Sequence, residues 1–169
     1  VYDIAVDGHT VYIATDVGIG IIRYEPYTLQ KKAAYYERML AEWGHLRLGF
    51  IHKLYWSSEH DEWLREISDN DGGHTAHYLA AMSFKYAATG DEEVKQHASQ
   101  VVAGLAECQA KLGTGLVHAH PDTFSTEGKA PLPFWYQFHK VLAGMLDVHE
   151  YCGNQQALEV ARKMGDWAC

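Results

Sequence analysis

One local pattern occurs twice in this chain, and it limits the fold more than any other feature. Tyr86-Ala-Ala-Thr-Gly90-Asp91 and Glu150-Tyr-Cys-Gly153-Asn154 each join an apolar helical stretch to an amphipathic one through a glycine followed by an N-cap residue. The two glycines are 63 residues apart. A helical hairpin cannot bury its inner face alone, so repeated hairpins stack into a solenoid or close into a toroid. The apolar stretches 74–89 and 134–151 are the expected inner helices. The charged stretches 91–112 and 154–169 are the expected outer ones. An (α/α)6 toroid needs six hairpins, and this chain supplies about two.

The rest of the chain is read around that repeat. Tyr2–Val6, Thr10–Thr15 and Ile19–Tyr24 are β-branched or alternating, with Asp-Gly type turns between them, and predict a short antiparallel β-meander. Three strands cannot cover both of their faces, so the meander needs a packing partner. Pro26 ends it. Leu29, Ala33, Tyr36, Leu40 and Trp43 then fall at helical spacing. Residues 44–73 look irregular, with Trp56-Ser-Ser-Glu-His as a loop and Ser68-Asp-Asn-Asp-Gly-Gly73 as a turn cluster. A long loop, 113–133, separates the two hairpins. The expected division is 1–25 meander, 26–73 linker helix and junction, and 74–169 helical hairpins, giving a mainly α chain.

Composition narrows the function. Hydrophobic residues make up 47% and charged residues 21%, which suits a folded domain. The net charge of −8, with no Lys/Arg cluster, argues against nucleic acid. No apolar run reaches the ~20 residues a membrane span needs. The 11 Tyr, 5 Trp and 11 His suit a carbohydrate groove, and suit a well-filled core equally. The three cysteines form no Cys-x-x-Cys pair and read as buried thiols outside disulfides. Val1 at the start and the absence of a helix stop after Cys169 raise the expectation of an internal fragment. Isolated, such a fragment would expose apolar surface and self-associate.

Several clusters carry chemistry, each with a plainer alternative. His74 and His77 share a helix face and suit sugar hydroxyls, a metal, or a cap plus a core histidine. His118 and His120 suit a metal, a polar pocket lining, or an ordinary loop, and zinc would need a third ligand. Trp135, Tyr136 and His139 open an inner helix, where aromatic faces stack on sugar rings or simply pack a helix end. Asp69, Asn70 and Asp71 resemble the start of a calcium loop, but no glutamate follows at the required distance, and a turn with an N-cap is the simpler reading. Paired carboxylates can serve as general acid and base. Asp61, Glu62, Glu66, Asp69 and Asp71 precede the inner helix, and sequence does not choose among them.

Longer stretches carry a family resemblance. These are His74-Thr-Ala-His77-Tyr-Leu-Ala-Ala, Tyr86-Ala-Ala-Thr-Gly-Asp-Glu-Glu, Leu105-Ala-Glu-Cys-Gln109, Trp135-Tyr-Gln-Phe-His139-Lys-Val-Leu-Ala-Gly-Met-Leu-Asp147 and Gly153-Asn-Gln-Gln-Ala-Leu-Glu-Val-Ala. Residues 72–169 resemble glycoside hydrolase family 127, the β-L-arabinofuranosidase family or DUF1680. The resemblance implies an (α/α)6 catalytic toroid and a carbohydrate substrate. It also implies a glutamate acid/base and a zinc-bound cysteine nucleophile located past Cys169. No cofactor is therefore expected in this fragment, and zinc belongs to the full-length parent. His74, His77, Trp135, Tyr136 and His139 match family positions that line a sugar pocket. The family commonly carries small or apolar residues where His118 and His120 stand.

Val11-Tyr-Ile-Ala-Thr-Asp-Val-Gly18-Ile resembles one blade of a two-component-regulator type β-propeller. The implied parent is a secreted or periplasmic propeller–toroid protein, whose missing propeller and toroid segments are the fragment's partners. Its function is expected to be glycoside hydrolysis on polysaccharide sugars. The alternatives are a non-catalytic glycan-binding or sensing module and a helical scaffold for protein contact.

Overall fold

The computed structural model describes residues 1–47, 49–66, 71–117 and 134–169, excepting the side chains of Glu66 and residues 134–136. The described chain is mainly helical, with a strand region ahead of the long helices. It divides into two compact units, Val1–Arg38 and Met39–Cys169.

The first unit holds β1 (Asp3–Asp7), β2 (Thr10–Thr15) and β3 (Gly18–Arg23), paired antiparallel in the order β1-β2-β3. The expected meander is present. Val6 faces Val11, which faces Ile22, and Ile4 faces Ile13, so period-2 alternation gathers one apolar face. Ile4, Val6 and Ile22 on that face remain exposed, as do Ile19 and Ile21 on the other. Helix α1 (Leu29–Glu42) follows Pro26 and crosses the boundary between the units.

The stretch expected to be irregular holds two hairpins instead. β4 (Leu46–Arg47) pairs with β5 (Phe50–Ile51), and β6 (Lys53–Ser57) pairs with β7 (Glu62–Glu66). Trp56 is therefore in a strand rather than a loop. The glycine-rich context hid the first hairpin, and the short polar turn at 58–61 hid the second. Trp56 and Trp63 sit directly across from each other, a pairing that local sequence reading does not weigh.

Four helices complete the second unit: α2 (Asp71–Thr89), α3 (Glu92–Leu112), α4 (Phe134–Cys152) and α5 (Gln155–Ala168). Both repeat turns form as expected. Gly90 and Gly153 adopt φ +67 and +69, conformations glycine tolerates best. The Asp91 carboxylate accepts from the Glu93 N–H, and the Asn154 side-chain oxygen accepts from the Ala157 N–H. Glu92 and Glu93 lie in the first turn of α3, where the helix dipole favours them. Helix α2 begins three residues before the expected start, taking Asp71, Gly72 and Gly73 out of the turn cluster.

The two hairpins lie side by side with α2 and α4 parallel. The Gly73 backbone abuts Lys140, Ala76 abuts Gly144, and the Phe84 and Tyr151 rings meet at 5.2 Å. Leu79, Val101, Val102, Leu105, Met145 and Val160 are among the side chains buried in one shared core. Gln109 ties the hairpins together, donating from Nε2 to the carbonyls of Gly115 (2.6 Å) and Val160 (3.0 Å). Cys108 and Cys152 are buried outside any disulfide, as expected, whereas Cys169 is exposed at the helix end.

Candidate functional site

Because α2 and α4 are parallel, their N-termini fall at the same end of the hairpin pair. The C-terminus of α5 falls there too, as the 5.8 Å approach of Phe138 to Trp167 shows, and Gly115, just past α3, packs against Lys163 and Trp167. Repetition of the hairpin thus brings together residues far apart in sequence: His74 and His77 on α2, and His139 and Lys140 on α4.

A buried polar frame fixes the start of α2. Alternation in the short stretch after Gly49 puts Phe50 and His52 on one side, and both are about 1% exposed. His52 Nδ1–H donates to Asp71 Oδ2 at 3.0 Å, with Asp71 fully buried. His45 Nδ1–H donates to the His52 carbonyl (2.9 Å), and the His52 N–H donates to the His45 carbonyl (2.8 Å). The Ile51 N–H donates to Thr75 Oγ1 at 2.9 Å. The first turn of α2 is therefore fastened to the 44–52 hairpin by side chains and backbone together.

His74 sits on that frame. Its Nε2 is buried and has no hydrogen-bond partner among the described residues. Burial lowers its pKa below the ordinary 6.5; Asp71 pulls the other way, and Lys140, Lys53 and His77 push it further down. At neutral pH the ring is uncharged and presents a nitrogen that can donate or accept, according to tautomer. Gly73 lets the Lys140 stem lie across the start of α2, since a Cβ there would stand 3.0 Å from Lys140 Cδ. The arrangement supplies hydrogen-bonding groups of mixed polarity held on rigid helices, which suits a neutral polyhydroxylated ligand.

Of the residues singled out by sequence, the structure brings His74, His77 and His139 to this end of the helix pair. His77 and His139 are exposed. Trp135 and Tyr136 lie in the first turn of α4, with side chains outside the described residues. His118 and His120 lie outside the described residues altogether. Asp71, weighed as one of five carboxylates or as a turn residue, is instead a buried partner of His52. Sequence reading missed His45, His52, Lys53 and Lys140. The Phe50/His52 alternation was the available signal, but two-residue strands are too short to stand out.

Among the described residues no group of three His, Cys, Asp or Glu side chains could hold a metal ion. Cys108 is pushed up to about 11 by burial, and Cys152 is raised by burial as well. Neither is a thiolate at neutral pH, and they sit on different helices inside the hairpins. The described residues thus do not fit the zinc–cysteine centre that the resemblance implies. A hollow of about 500 Å³ at the same end is lined by α3 and α5, with Gln109, Thr114, Lys163 and Trp167 among its walls.

No curated protein and no solved structure matches the chain. The family model for the catalytic domain of β-L-arabinofuranosidase, GH127, matches residues 25–169, so the match takes in the strand hairpins as well as the helices. The resemblance carried by the repeat and by the His74 and Trp135–His139 stretches therefore holds across most of the sequence, and the chain belongs to the GH127 β-L-arabinofuranosidase catalytic-domain family.

Proposed function

We propose that this chain is part of an (α/α)6 toroid of a glycoside hydrolase acting on arabinofuranoside-like sugars, with α2 and α4 as adjacent inner helices. The sugar is bound at the N-terminal end of those helices, with His74, His77, Trp135, Tyr136 and His139 as its candidate contacts and His118 and His120 as further ones. The observation that carries this reading is the buried His74 Nε2, left without a partner among the described residues at the end where the two helix N-termini meet. A buried polar atom without a partner is costly, and a substrate hydroxyl would satisfy it.

The acid/base and the nucleophile are proposed to come from other segments of a longer protein, in which zinc would reside. Residues 1–25 are read as part of a propeller blade ahead of the helical domain, and the parent as secreted or periplasmic. The test is titration of the chain with methyl β-L-arabinofuranoside, followed by NMR of the histidine rings. His74→Ala, and Trp135→Ala with His139→Ala, should abolish binding. Unchanged binding in both variants would remove the pocket from this end of the helices. Binding by a parent protein that hydrolyses no arabinofuranoside would mark a glycan-holding module instead.

A further inference from the structure

Three of the five tryptophans meet on one face. Trp56 and Trp63 are cross-strand partners in the β6–β7 hairpin, with ring centroids 5.7 Å apart and edge-to-face. Trp43, just past α1, reaches the same face, 6.4 Å from Trp63. Cross-strand pairs share a face and alternate residues return to it, so Leu54 and Arg65 lie there too. Arg65 Nε donates to the Gly44 carbonyl at 3.2 Å, which anchors its guanidinium at the residue that follows Trp43. The three indoles are 56%, 49% and 55% exposed.

Indole rings are among the costliest side chains to leave in water, and a contiguous exposed patch of them marks an interaction surface. A cross-strand aromatic pair contributes to hairpin stability, and an isolated two-stranded hairpin is marginal without such packing. That role does not account for Trp43, which comes from outside the hairpin, or for the anchored guanidinium. Flat apolar rings beside fixed N–H donors match a sugar: its C–H face stacks on the indole, and its hydroxyls accept from the guanidinium. The charge around the face selects among glycans. Glu59, Asp61 and Glu62 crowd the hairpin tip, and the whole chain carries −8, so a polyuronide would be repelled.

We infer that Trp43, Trp56, Trp63 and Arg65 form a binding platform for a neutral polysaccharide, using none of the residues assigned to the sugar at the His74 end. The carbohydrate class of the ligand rests on the family assignment. A glycosidase acting on a polymer gains from a second hold on the chain, because two linked weak contacts bind far more tightly than either.

The test is affinity electrophoresis of the full chain in gels containing debranched arabinan, arabinoxylan or galactan, with polygalacturonate as the anionic comparison. Tryptophan emission is followed in parallel titrations. The chain should be retarded by at least one neutral polysaccharide and not by polygalacturonate. Trp43→Ala should weaken that retardation roughly tenfold, a loss of about 1.4 kcal/mol with one stacked ring. Trp43→Phe should restore part of it. The Trp56–Trp63 exciton couplet in circular dichroism should survive Trp43→Ala, showing that the hairpin is intact. His74→Ala should leave retardation on the polymer measurable while abolishing binding of methyl β-L-arabinofuranoside, which separates failure of this platform from failure of the pocket. Retardation unaffected by Trp43→Ala, absence of retardation by every neutral polymer, or a concentration-dependent dimer that Trp43→Ala dissolves would each overturn the platform; the last would make this face a protein contact.

Discussion

His52 and Asp71 are 19 residues apart and meet at 3.0 Å, imidazole against carboxylate, with both side chains essentially inaccessible to water. The contact joins a strand hairpin to the first turn of α2 and fixes where that helix starts. Removing the imidazole leaves a buried carboxylate short of a partner, which is costlier than removing both groups. His52→Ala is expected to lower unfolding stability by about 2–4 kcal/mol, and His52→Ala with Asp71→Ala by less than the sum of the two single changes. Urea denaturation of the three variants checks this, and simple additivity would contradict it.

Gly144 makes possible the close passage of α4 over α2. A Cβ at this position would stand 2.8 Å from the Ala76 carbonyl oxygen. Gly144→Ala should force the helices apart and cost about 1–3 kcal/mol. Gly165 on α5 meets nothing within 4 Å and serves as the control. There alanine should be neutral or stabilise by roughly 0.5–1 kcal/mol through helix propensity. Equal urea midpoints for the two variants would argue against a tight α2–α4 crossing.

Acid should weaken the fold through His74. Burial holds its pKa below 6.5, so between that lowered value and 6.5 the unfolded chain binds more protons than the folded one. The stability due to the uncharged ring is fully present above pH 6.5 and is lost as pH falls through the folded-state pKa. His74→Gln keeps a neutral polar side chain and should reduce the loss in urea midpoint between pH 7.5 and 5.5. An identical pH profile for the variant would mean that other groups set the acid sensitivity.

Thiol chemistry should separate the three cysteines. Cys169 is exposed, while burial raises the thiols of Cys108 and Cys152, the former to about 11. At pH 8 a disulfide reagent should modify one thiol rapidly and the others only upon unfolding. Cys169→Ser should eliminate the fast phase. A fast phase that survives this substitution would place one of the other two at the surface.

Local chemistry made much of the helical part legible. Asp91 and Asn154 each supply a side-chain oxygen to a helix N-terminus, and Gly90 and Gly153 each supply the left-handed turn before it. These signals act within a few residues, so they can be read without knowing the fold. The same holds for the alternation that builds the N-terminal meander. The junction was not legible in this way. The two-residue strands of the first hairpin carry no usable period, the second is broken by a polar turn, and what holds them comes from residues beyond each strand: Phe50 against Gly104, His52 against Asp71, Trp56 against Trp63.

For the candidate site, sequence put His74, His77 and His139 on inner helices and marked them as chemically useful. It could not show that α2 and α4 run parallel, which is what brings their N-termini to one end. Nor could it show that His74 Nε2 is buried without a partner among the described residues, or that Lys140 lies across Gly73. The sequence by itself determined the repeat, its caps and the family, because these depend on residue order and on contacts a turn or less away. Only the tertiary structure decided the His52–Asp71 frame and the tryptophan face. Both depend on residues far apart in the chain meeting at a few ångströms, and no local preference encodes that distance.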